Sequence, residues 1–309
     1  MMEQMTQIGM FDGTQAFKID KPIRLIELFA GIGAQAKALE NLGVDFEHYR
    51  ICEFDKYAVA SYNAVHGTNF EPSDITKITA EDLGIVDTDK YCYIMTYSFP
   101  CQDLSVAGNQ KGMTKGSGTR SGLLWEVERL LEECTELPQV LLMENVPQVH
   151  GEQNQNDFYA WLKKLEELGY KNYWKDLNAK NYGIPQNRNR CFCVSILGDY
   201  YYDFPTPVPL KLKLKDMLED NVDEKYYIPL SEDICSQFVN VERERESRSP
   251  RQCEQAVEEA STGIRGMLLW KNGKMGEINQ KEIAAPILAH ESKGIGGKVK
   301  SNGVMEWKK

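Results

Sequence analysis

At 309 residues, with 42% hydrophobic and 27% charged residues, the chain has the make-up of a soluble globular protein. It is long enough for one large core and a smaller second domain. No apolar run reaches the roughly eighteen residues of a membrane span, and "MMEQMTQIGMFDGTQAF" lacks the basic-then-apolar form of a signal peptide, so cytoplasmic residence is expected. The net charge of −10 speaks weakly against nucleic acid, but Ser261 to Lys309 holds eight Lys and one Arg against four Glu. That basic end either faces DNA or is ordinary variation along a solvated surface.

In chain order, "IRLIELFA" (23–30) predicts a buried strand, followed by a helix over 33–42 closed by Gly43. "YRIC" (49–52) predicts a second strand and "DKYAVASYNAVHG" (55–67) a second helix. "YCYIMTY" (91–97) is a third strand. Residues 121–134 then place Leu123, Leu124, Val127, Leu130, Leu131 and Cys134 at helical spacing. "VLLME" (140–144) is a strand, 155–168 a helix presenting Phe158, Trp161, Leu162, Leu165 and Leu168, and "CFCVSIL" (191–197) a final strand. Strands alternating with helices predict an α/β fold, a Rossmann-like, mostly parallel sheet covered on both faces. The proline-rich "FPTPVPL" marks a boundary near residue 204. The expected division is a tail (1–21), a catalytic domain (22–204) and a smaller irregular region (205–309), within which "ERERESRSPR" (242–251) is charged and solvated.

In such sheets ligands bind where loops leave the C-terminal ends of strands. In "FAGIGA" (29–34), Gly31 and Gly33 let backbone approach a ligand or merely allow close packing. Glu53, at the end of the next strand, has the position of an acid that hydrogen-bonds a ribose. The third glycine of a dinucleotide fingerprint is missing, so a nucleoside without phosphates fits better, and Asp74 could meet an adenine amino group. Cys101 follows the third strand in "TYSFPCQDLSVAG" (96–108), before a glycine-rich stretch with the composition of a mobile loop. The eight cysteines form no CxxC pair and have no histidines at zinc-finger spacing, so disulfide and metal readings of Cys101 are poor and no metal is expected. Glu144 in "MENV" ends a strand, either as an acid over the crevice or as a helix cap. In "YGIPQNRNRCFCVSI", Arg188 and Arg190 alternate toward one face.

Together, "LFAGIGA", "YSFPCQDLS", "LLMENV" and "YGIPQNRNR" resemble the DNA cytosine-5 methyltransferase family from about Arg24 to Leu197. The resemblance implies S-adenosylmethionine held by Phe29, Ala30, Gly31, Gly33, Glu53, Phe54, Asp74, Ile75, Pro100 and Leu123. It implies Cys101 as nucleophile toward C6 of a flipped-out cytosine, Glu144 at N3, Arg190 at O2, and Arg188 favouring the Cys101 thiolate. Duplex DNA is the implied partner, acted on by a monomer in restriction-modification or phage self-protection, and 205–309 is the implied target-recognition region. An RNA (tRNA) cytosine-5 methyltransferase is the alternative, less favoured because of Phe99; a catalytically weak, truncated DNA-binding protein is another. After "APILAHESKGIGGKVKSNGV" the family pattern continues with segments this sequence does not contain. A second polypeptide supplying them is therefore expected, with apolar surface around Ile26, Leu28 and Phe29 left partly exposed.

Overall fold

A computed structural model describes residues 15–104, 112–218, 220, 266–271, 274–275 and 302–305. Its centre is a six-stranded sheet formed by β2 (Ile23–Leu28), β3 (Phe46–Cys52), β4 (Cys92–Tyr97), β5 (Val140–Asn145), β6 (Tyr170–Asn178) and β7 (Asn189–Leu197). The strand order is β3-β2-β4-β5-β7-β6. β2 runs parallel to β3 and β4, β4 parallel to β5, and β7 antiparallel to β5. The sheet is thus the mostly parallel one the alternation predicts, with one reversal. A short β1 (Gln15–Ala16) pairs with β8 (Tyr200–Tyr201).

The two faces of the sheet can be read from β2. Ile23 and Leu25 pack with Ala36 and Leu39 of α1 (Ala34–Asn41). Ile26 and Leu28 belong instead to the large cluster holding Leu124, Val127 and Leu130 of α4 (Leu124–Glu133) and Phe158, Trp161 and Leu165 of α5 (Gln155–Glu167). The period of two along a strand separates these sets. Ile26 and Leu28 are 0% and 1% exposed, which corrects the expectation of bare surface there: α4 and α5 cover that side of the sheet. Phe29 is half-buried against the same cluster. β4 is buried along its whole length, as a central strand covered on both sides must be.

Helix ends follow their caps. Asp55 accepts from the Tyr57 and Ala58 amides at 2.7 and 3.2 Å to start α2 (Lys56–His66), and Gly67 ends it with φ +67°. The short α3 (Ala80–Leu83) and strand β6 have no counterpart in the sequence reading. β6, "YKNYWKDLN", mixes charged, polar and aromatic residues because it lies at a sheet edge. β3 begins three residues earlier than predicted, since its first half is only partly buried.

The chain divides into two compact units. One comprises residues 1–177 and 189–205, the other 178–188 and 206–309. Within the second, Tyr182 bridges Val208 in parallel, and three strands, Gly266–Lys271, Lys274–Met275 and Asn302–Met305, form a small antiparallel sheet. Residues 105–111 of the glycine-rich stretch 103–120, the 242–251 run and most of the basic end lie outside the described residues. No helix among the described residues is long and apolar enough to cross a membrane.

Candidate active site

Parallel strands deliver their C-terminal ends to one rim of a sheet, and an antiparallel neighbour delivers its N-terminal end there. The loops after β2, β3, β4 and β5 therefore gather with the start of β7 at one rim.

The loop after β2 turns sharply. Phe29, Gly31 and Gly33 all have positive φ, at +56°, +57° and +81°, a region costly for a side chain such as Phe29. Hydrogen bonds hold the turn. The Phe29 and Ala30 amides donate to the Cys52 carbonyl at 2.7 and 3.3 Å. The Gly31 amide donates to Glu53 Oε2 at 2.9 Å, and the Asp55 amide to Glu53 Oε1 at 2.9 Å. Glu53 thus ties the β2 and β3 loops together, and each carboxylate oxygen keeps acceptor capacity for a ligand hydroxyl. A Cβ placed on Gly31 meets nothing within 4 Å, so open space lies over its backbone. Phe54, the residue after Glu53, is 76% exposed and offers a large apolar face suited to a flat heterocycle.

Asp74 accepts from the Thr76 amide and hydroxyl at 3.0 and 2.8 Å, and these bonds hold its carboxyl below the usual range. Ile75 is buried in the large core, with its carbonyl on the Arg129 guanidinium at 3.0 Å. Leu123 is half-buried against that core, in the turn before α4.

Cys101 is half-buried four residues beyond the end of β4. The other five described cysteines have thiols pushed up by burial, Cys52, Cys92 and Cys134 to about 11 and Cys193 to about 12, which keeps them as inert thiols. The loop carrying Cys101 is fixed from three sides. Asn145 Nδ2 donates to the Phe99 carbonyl at 3.0 Å, and Ser121 Oγ donates to the Pro100 carbonyl at 2.6 Å. Buried Asp103 accepts from the Arg120 and Ser121 amides at 2.9 and 3.3 Å. Gln35 Nε2 donates to Ser98 Oγ at 3.0 Å, joining the start of α1 to the end of β4. Asn145, Asp103, Ser121 and Gln35 were absent from the sequence reading. Asn145 alone had a local signal, as the neighbour of Glu144.

Glu144 does not cap the turn that follows β5, where Val146 holds that position. Register explains its partner. Asn145 pairs with Cys191 and Glu144 with Phe192, so the residue just before Cys191 reaches the Glu144 carboxylate. Arg190 Nε lies 2.9 Å from Glu144 Oε1, both side chains being about one-fifth exposed. Arg188 belongs to the second unit, where its carbonyl accepts from the Ala179 amide at 2.9 Å. The rim thus brings together a thiol on a braced loop and a carboxylate–guanidinium pair, beside a turn open over Gly31. A carboxyl and a guanidinium in fixed geometry match a ring bearing a nitrogen and a carbonyl oxygen on one edge.

Comparison with known proteins gives concordant findings. Residues 23–298 match the family model for C-5 cytosine-specific DNA methylase. The type II methyltransferase M2.ScrFI of Lactococcus lactis subsp. cremoris is 35% identical over 254 residues, covering 67% of this chain and 70% of that protein. The orphan methyltransferase M.SssI of Spiroplasma monobiae is 35% identical over 259 residues, covering 66% and 67%. Among solved structures, the S. pombe Dnmt2 methyltransferase superposes with a TM-score of 0.54 at 22% identity, covering 70% of this chain and 65% of that one, which establishes likeness of fold.

Proposed function

Since the chain belongs to the C-5 cytosine-specific DNA methylase family, we propose that it methylates C5 of cytosine in duplex DNA as the modification enzyme of a restriction-modification system. Cys101 is the nucleophile in this reading. The observation that carries it is the rim itself: Cys101 on a loop braced by Asn145, with Glu144 and Arg190 joined at 2.9 Å across the β5–β7 register.

The residues around the β2 turn fit S-adenosylmethionine. Gly31 leaves room for it, Glu53 offers acceptors to its ribose, and Phe54 offers a face to its adenine. Ala30, Gly33, Asp74, Ile75, Pro100 and Leu123 complete the proposed pocket. Bound there, S-adenosylmethionine supplies an electrophilic methyl group on a sulfonium.

The chain's own residues supply the rest. C5 of cytosine is a poor nucleophile until the ring gains electrons, which the Cys101 thiolate provides by forming an Sγ–C6 bond. Glu144 then holds a proton at N3, and Arg190 donates to O2, as charge develops on the ring. After C5 is alkylated its proton leaves to water, and the electron pair released expels Sγ from C6, regenerating Cys101. The stacked duplex blocks approach to C6, so the base must swing out of the helix first.

The test is a duplex carrying 5-fluorocytosine, where fluorine replaces the C5 proton and prevents elimination. A denaturant-stable adduct is expected with the wild type and none with Cys101→Ala. Glu144→Gln should bind duplex normally and turn over about 100- to 1000-fold more slowly. An adduct that persists in Cys101→Ala overturns the assignment, and trapping on tRNA but not on duplex DNA overturns the substrate.

A further inference from the structure

Three groups from consecutive elements, Glu40 at the end of α1, His48 in β3 and His66 at the end of α2, converge behind the β2 turn. Their ligand atoms all lie within 4.8 Å of one another. Glu40 Oε1 is 2.7 Å from His66 Nδ1 and 3.7 Å from His48 Nε2. Tetrahedral zinc with Zn–N and Zn–O near 2.0–2.1 Å sets neighbouring ligand atoms about 3.3 Å apart, so these separations straddle what an ion would require.

The outer nitrogens of both imidazoles are engaged. Tyr62 donates its hydroxyl proton to the buried Glu27 carboxylate at 2.5 Å, and His48 Nδ1 lies 2.9 Å from the same Tyr62 oxygen. With its one proton donated to Glu27, Tyr62 can only accept from His48 Nδ1–H, which leaves the Nε2 lone pair facing Glu40. On His66, Nε2 lies 3.2 Å from the Ile32 carbonyl, which can only accept, so Nε2 carries a proton and Nδ1 faces Glu40 Oε1. A chain of carboxylate, hydroxyl and imidazole on one side, and of carbonyl and imidazole on the other, is how proteins orient metal-binding histidines. Lys37 Nζ occupies the other Glu40 oxygen at 2.7 Å, leaving one oxygen for the ion.

We propose that Glu40 Oε1, His48 Nε2 and His66 Nδ1 form a three-ligand site for a zinc-class divalent ion, with a fourth position for water. No ligand motif marks this site in the sequence, because its ligands come from three elements. None of the three ligands belongs to the proposed methyl-transfer machinery. The site touches it through Ile32, whose carbonyl lies in the turn between Gly31 and Gly33, so an occupied site would stiffen that turn.

The experiment uses the full chain, stripped with chelator and titrated with Zn²⁺ by calorimetry and with Co²⁺ by absorption. One ion per chain is expected, with a cobalt spectrum of nitrogen and oxygen ligands and no displacement by Mg²⁺. Glu40→Gln and His48→Phe, both checked for native melting without metal, should weaken binding at least about 100-fold, beyond the loss of an outer-shell partner. His150, Asp176 and Cys191 form a second group of possible ligands, so Asp176→Asn serves as the control and should leave affinity unchanged. Absence of binding at millimolar metal overturns the site and leaves a His66–Glu40 hydrogen bond. So does affinity retained in both variants, a thiolate-to-cobalt charge-transfer band, or loss in Asp176→Asn alone.

Discussion

Asn145 satisfies two backbone groups at once. Its Nδ2 donates to the Phe99 carbonyl, two residues before Cys101, and its Oδ1 accepts from the Val146 amide at 2.8 Å. It is therefore a positioning residue: it sets where the proposed nucleophile stands without touching substrate. Removing it leaves a buried carbonyl and a buried amide unpaired, at about 1–3 kcal/mol each. Asn145→Ala should lower kcat well before KM for S-adenosylmethionine, because the β2 turn does not depend on it. Single-turnover adduct formation on 5-fluorocytosine duplex measures this directly, and adduct formation at the wild-type rate would show that the tether does not place Cys101. Sequence motifs made Glu144 and Cys101 legible because each sits at a strand end in an unusual context. Asp103 and Ser121 stayed hidden, since a short polar residue reads the same whether it caps a turn or braces a loop eighteen to twenty-one residues away.

At the level of elements, the β2 turn makes opposite demands at its two positive-φ glycines. Gly31 has open space at its Cβ position, whereas a Cβ on Gly33 would come within 2.3 Å of His66 Nε2 and 2.7 Å of the Tyr62 ring. Gly31→Ala should therefore cost about 1–2 kcal/mol of backbone strain and weaken S-adenosylmethionine binding. Gly33→Ala should cost more stability, because the buried His66 and Tyr62 rings must also move. Urea unfolding with cofactor calorimetry separates the two, and equal stability losses would mean that the His66 packing yields freely.

Glu27 raises a question of pH. It is buried on β2, accepting from the Ala36 amide at 3.2 Å and from Tyr62, and burial raises its pKa above 4.5. A raised carboxyl favours the folded state most below pH 4.5, and that contribution is lost as pH climbs through the folded value. Glu27→Gln has no such loss. Its stability relative to the wild type should rise with pH above 4.5 and then level off, as followed by urea midpoints. A flat difference would show that Glu27 ionises equally in both states. Strands and helices with strong apolar periodicity were legible in the sequence. The edge strand β6 was not, because one exposed face and an edge position weaken the pattern that a buried strand shows.

For the whole molecule, "FPTPVPL" drew a single boundary near residue 204, yet the chain enters its second unit twice, first at 178–188 and again from 206. The early visit is too short and too polar to look like part of a domain, and only contacts remote in sequence reveal it. Val208 N donates to the Asn181 carbonyl at 2.8 Å, and Tyr182 bridges Val208. Arg190 is then the second residue after the chain returns to the first unit. This interleaving sets the rules for grafting. A chimera that takes everything from Thr206 onward from a relative keeps the host's 178–188 and breaks a joint built from both pieces. One that exchanges 178–188 together with the region from Thr206 carries the joint intact. The paired graft should yield more folded protein and a higher melting temperature than the single graft, and equal behaviour would show that the early segment is passive. Passing this whole unit from one chain to another therefore requires two coordinated crossovers, one of them only two residues from the arginine proposed to hold the base.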